Sequence, residues 1–96
     1  MKTSKTELDA IMQEAKERSI PVSSLTYKRV KDVISCNISN PPSVGLEPDG
    51  GILLEWYKPS VSGDIFSLIV KDNALIWSHL GEDNVLGRHG VIKFLL

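Results

Sequence analysis

His79, His89 and Cys36 are the chain's entire stock of histidine and cysteine, so metal or nucleophile chemistry has to be assembled from these residues and nearby carboxylates. A zinc site needs three or four converging ligands, and the closest additions, Glu82 and Asp83, stand at spacings that match no ligand motif. His79 is expected as a satisfied histidine in or at the rim of the core, and His89, within "GRHG", as a loop residue. Cys36 falls near the end of a helical stretch, where the helix dipole has the wrong sign for a nucleophilic thiolate, and is expected as a small buried hydrophobe. Asp49, Asp64 and Asp72 each stand in a turn, where a short acidic side chain bonds its own backbone, so no two of them read as general acid and base. The expectation is a non-enzyme with no catalytic residue, no metal and no cofactor.

Two stretches remain. In "EPDGGILLEWYKP", Glu47 to Pro59, a glycine pair precedes a run of large apolar residues. A Walker-type phosphate loop needs Gly-Lys-Ser/Thr opening a helix, whereas Gly51 leads into "ILLEWY", which has neither a cap nor helical spacing. The hairpin reading fits better: Pro48 presets φ, Asp49 suits the second turn position, and Gly50 takes the left-handed conformation that closes a three-residue loop with a bulge. The other stretch, "YKRVK", joins Tyr27 to Lys28, Arg29 and Lys31. It could contact the phosphates and bases of a single strand, and it equally makes the solvated face of a helix.

The elements that must position these residues follow from periodicity. Ser4-Lys-Thr-Glu7 has the spacing of a capping box, and Leu8, Ile11, Met12 and Ala15 follow at i, i+3, i+4 and i+7, which predicts a helix ended by Pro21. Ser23 or Ser24 is placed to cap a second helix running to about Cys36, with Tyr27, Val30, Val33 and Ile34 on one face. Three β-branched residues there leave an edge strand as the competing reading. "SNPPS" breaks this segment, and the texture then changes to short apolar runs between turn residues: strands at about 44–47, 51–57, 65–71, 74–80 and 91–96.

An Asp72-Asn73 turn fixes register, setting Val70 opposite Leu75, Leu68 opposite Trp77 and Phe66 opposite His79. With Ile52, Leu54 and Trp56, these residues make one apolar face, which the two helices are expected to cover. The reverse face carries Leu53, Tyr57, Ile65, Ser67, Ile69, Ala74, Ile76, Ser78 and Leu80. That is more apolar than a sheet surface left in water should be. Either the final strand, the N-terminal arm or sheet curvature covers it, or a partner does.

Composition bounds the rest. Ninety-six residues make one domain, helical over 1–37 and antiparallel sheet over 43–96, and a chain this size buries only about 60 to 65 % of its unfolded surface. Apolar and charged fractions of 42 % and 24 % are ordinary for globular chains, and a formal charge of −1 gives no electrostatic reason for a polyanionic partner. A single cysteine permits no internal disulfide. With no signal-like N-terminus and no apolar run of about 18 residues, the expected setting is the cytoplasm, without a membrane.

The block "NPPSVGLEPDGGILLEWYKP", followed by "LIVKDNALIWSHLG" and a later glycine, resembles a pattern in many small uncharacterised bacterial and mobile-element proteins. It covers Asn40 to about Gly90, and implies helical N-terminal segments joined to a small antiparallel sheet. It implies no activity, and for Asp49, Gly50, Gly51, Glu55 and Trp56 only a structural role. Similar chains usually continue into a further helix; here "VIKFLL" either closes the sheet or seeks cover from another chain.

The fold expected is therefore α+β, with two N-terminal helices on one face of a four- to five-stranded antiparallel meander. The function expected is binding of another protein, or of a second copy as a homodimer, in the manner of a small adaptor, antitoxin-like neutraliser or phage-type inhibitor. The binding residues would be Leu53, Tyr57, Ile65, Ile69, Ile76 and Leu80. The alternative is weak binding of single-stranded nucleic acid through Tyr27, Lys28, Arg29 and Lys31.

Overall fold

A computed structural model describes residues 4–57, 65–80 and 88–93. Two helices, α1 (Ser4–Glu17) and α2 (Ser24–Ser35), precede five strands, β1 (Ser43–Leu46), β2 (Ile52–Tyr57), β3 (Ile65–Val70), β4 (Ala74–Leu80) and β5 (Arg88–Lys93). Every strand pairs antiparallel with its neighbour in sequence, giving the sheet order β1-β2-β3-β4-β5. The expected α+β meander is the fold observed.

Local chemistry accounts for the joints. The end of α1 is a Schellman motif: Ser19 takes the left-handed conformation at φ 56°, the Ile20 N–H donates to the Ala15 carbonyl at 2.8 Å and the Ser19 N–H to that of Lys16 at 3.3 Å. Ser23 then caps α2, its hydroxyl oxygen accepting the Thr26 N–H at 3.0 Å, so the helix reading of this segment prevails over the edge strand. In the β1–β2 hairpin the Gly50 N–H donates to the Glu47 carbonyl at 3.0 Å, the Glu47 N–H to that of Gly51 at 2.9 Å, and Gly50 sits at φ 94°. That is the turn with a glycine bulge expected from "EPDGG". The Lys71 N–H donates to the Ala74 carbonyl at 2.9 Å across Asp72-Asn73, and the β3–β4 register is the one the two-residue turn dictates.

Leu8 from α1 and Val30 from α2 meet Ile52, Leu54 and Val70 from the sheet, each at 0 % exposure. These residues share one sheet face, so both helices lie on that side. Their cover stops short of the far strands. Phe66 is 39 % exposed, Ile92 52 %, and His79 is exposed as well, which corrects the expectation that two helices shelter the whole aromatic face. The reason is placement: α1 packs along β1 and α2 reaches β3, so on β4 Leu75, opposite Val70, still packs against the core while His79, and Ile92 on β5, stay in water.

The Ser4 side chain of the expected capping box lies outside the described residues, and the Glu7 carboxylate accepts the Val44 N–H at 3.2 Å, tying α1 to the edge strand. Two further expectations change. His89 is not in a loop, because β5 begins at Arg88. Cys36 is exposed, since it is the C-cap of α2 and lies past the last turn that touches the sheet. Asp64 and residues 94–96 of the expected last strand lie outside the described residues.

Candidate protein-binding surface

A polar cluster sits where the α1–α2 link, the start of α2 and two sheet turns meet, around an open cleft of about 420 Å³. Asp72, from the β3–β4 turn, accepts hydrogen bonds from the hydroxyls of Ser23 and, at 2.6 Å, Thr26. These two hydroxyls, helped by the Arg29 charge, hold its carboxyl below the usual carboxylate value. Asp49 is lowered too, by the Lys71 ammonium at 2.7 Å and by the Gly51 N–H at 2.9 Å. Asp49 thus bonds its own backbone as expected, whereas Asp72 turns to α2 instead. Each carboxylate is committed to a donor within the fold, so the cluster reads as a clamp between helix and turns. Among the described residues no three His, Cys, Asp or Glu side chains converge on a point.

The basic segment of α2 is spread over different surroundings. Tyr27 is half-buried against the core and donates its hydroxyl to Asp9 of α1 at 3.2 Å; burial, with the Asp9 charge behind it, raises its phenol above the ordinary value. Lys31 lies with its ammonium 5.5 Å from the Tyr27 ring centroid, Lys28 is exposed, and Arg29 faces Asp72. Tyr27 is thereby used as a tie between the helices.

The reverse face of the sheet is different. Register places Leu53, Ile69 and Ile76 in one cross-strand row that Val91 continues, and Tyr57, Ile65 and Leu80 in another. Between them runs a polar row of Glu55, Ser67, Ser78 and His89. All six expected residues therefore share one face. Leu53, Ile65, Ile69 and Ile76 are half-buried, Tyr57 is 53 % exposed and Val91 56 %. The Leu80 side chain lies outside the described residues. The Glu55 charge, with partial burial and a hydrogen bond from the Tyr57 hydroxyl to that carboxylate, raises the Tyr57 phenol above its ordinary value, so this hydroxyl already has an acceptor on its own strand.

On the opposite side, the uncovered half of the aromatic face was missed by sequence reasoning. Trp56 and Phe66 rings lie 5.7 Å apart and Phe66 and His79 6.4 Å, in one cross-strand ladder, with the Trp56 indole N–H anchored to the Asn40 carbonyl at 2.9 Å. Trp77 lies over Gly90 so closely that a Cβ there would stand 2.6 Å from Nε1. The pairing of a strand glycine with a tryptophan on its neighbour is the available signal, hidden because "GRHG" has the composition of a turn.

Comparison with protein-family models, with curated proteins and with solved structures finds no match to this chain. Among the described residues, no helix is long and apolar enough to cross a membrane.

Proposed function

We propose that this chain is a protein-binding module that works without catalysis, as a small adaptor or inhibitor that occupies the surface of another protein. What carries the reading is one observation: both helices lie on the aromatic side, and no described element lies over the Leu53–Ile69–Ile76–Val91 row on the other. Rows of isoleucine and leucine in partial contact with water favour burial against another surface. The polar row between them supplies the hydrogen bonds that give such a contact its register.

The Ile69→Glu/Ile76→Lys double variant tests this. The two positions are directly opposed, so the new charges form a cross-strand pair that helps preserve the sheet. With circular dichroism showing a folded chain, light scattering should report loss of any self-association, and affinity capture should lose the proteins retained by the unaltered chain. A folded double variant with the same oligomeric state and the same captured proteins would sink the reading. The nucleic-acid alternative has less behind it, because Lys28, Arg29 and Lys31 lie in different surroundings and the chain's net charge is −1.

A further inference from the structure

The two edges of the sheet are finished differently. At β1 the strand is four residues long, α1 packs along it, and the Glu7 carboxylate takes the Val44 N–H. At the other end, β5 runs six residues and pairs only with β4 among the described residues. His89, Val91, Ile92 and Lys93 are all exposed along it. An open edge presents alternate N–H and C=O groups that another strand can pair with, and Pro or bulges are the usual obstacles. Arg88-His89-Gly90-Val91-Ile92-Lys93 contains no proline.

Charge and shape narrow the occupant. In a chain of net −1, β5 carries Arg88 and Lys93 at its two ends and no acidic residue. Its centre is apolar on both faces: Val91 extends the Leu53–Ile69–Ile76 row, while Ile92 lies on the aromatic side next to Gly90 and the overlying Trp77. A second copy suits this edge poorly. Two-fold antiparallel pairing centred on Val91 sets His89 opposite Lys93, centring on Gly90 places two glycines face to face, and every register brings together two strands that carry cationic residues and no carboxylate. Area adds a separate constraint on any occupant. One side of a five-stranded sheet with strands of about six residues spans only about 400 Å², against the about 800 Å² that each partner of a stable complex buries. A contact extending from the reverse face onto the edge makes up part of that deficit.

We infer that β5 is the docking edge for an extended segment of another protein, apolar at its centre and acidic at its ends, which adds to the sheet as a sixth strand. The inference rests on the protein-binding reading and names the chemistry of its partner. Main-chain bonds hold the segment, Val91 and Ile92 receive its apolar side chains on opposite faces, and the cationic ends select its carboxylates.

The probes are a short capped peptide with glutamates flanking a valine–isoleucine centre and its lysine-flanked counterpart, followed by amide shifts on the full chain. The glutamate peptide should give saturable shifts centred on Gly90, Val91 and Ile92 and bind about tenfold more tightly than the lysine peptide. In a Lys93→Glu variant that preference should shrink. Two further forms of the glutamate peptide, N-methylated on alternate residues, block one or the other of its hydrogen-bonding edges. Only one should lose binding. Absence of a saturable β5 response, equal affinity for both charges, or equal binding of the two methylated forms would overturn the inference. These readouts are confined to β5. A failed peptide titration beside a disrupted complex in the reverse-face variant removes the edge and leaves the broader reading standing.

Discussion

Gly50 shows how one position joins two parts of the molecule. Its φ of 94° is the left-handed conformation that the bulge after a type I turn requires, and a Cβ there would stand 2.0 Å from the Pro21 carbonyl oxygen. Backbone strain and collision with the α1–α2 link therefore act together. Gly50→Ala should cost about 2 to 4 kcal/mol in a urea titration. A cost below about 0.5 kcal/mol would mean that the hairpin and the helical layer are not in contact as described. Turn chemistry made the glycine's conformation readable in advance. Its neighbour across space was not, because nothing local in "EPDGG" refers to a proline nearly thirty residues earlier.

The tie between α2 and the β3–β4 turn rests on an ionised Asp72 accepting two hydroxyls at a helix N-terminus. Its carboxyl is lowered in the folded chain, as is that of Asp49, so the unfolded chain takes up these protons first as pH falls. The stabilisation from both is fully present above the ordinary carboxylate value of about 4 and is lost as the pH drops through the lower folded values. Asp72→Asn should accordingly be less stable than the unaltered chain at pH 7, with the difference narrowing under acid conditions. Thermal melts at a series of pH values check this, and a difference that widens toward acid would show that the assigned linkage is wrong. Asp49 is exposed and Lys71 partly so, and added salt should weaken their pair as well.

The molecule as a whole is lopsided, with its helices over β1 to β3 and its remaining apolar surface over β4, β5 and the reverse face. Truncations should report that asymmetry. Leu54→Ala, at a fully buried site, should cost about 2 to 5 kcal/mol, whereas Phe66→Ala should cost clearly less than the usual core phenylalanine because its ring is already 39 % exposed. Equal losses at the two sites would mean that the far half of the aromatic face is as well covered as the near half. The β3–β4 register, the β1–β2 and β3–β4 turns and the two-faced alternation were legible in the chain, because each depends on a dihedral preference or a period of two that acts over a few residues, whereas the start of β5 at Arg88 was not. How far the helices reach across the sheet, which edge Glu7 closes, where Asp72 finds its donors and why Cys36 stays in water depend on packing between segments far apart in the chain. Those outcomes follow from which helix settles against which strand, and local periodicity carries no information about that choice.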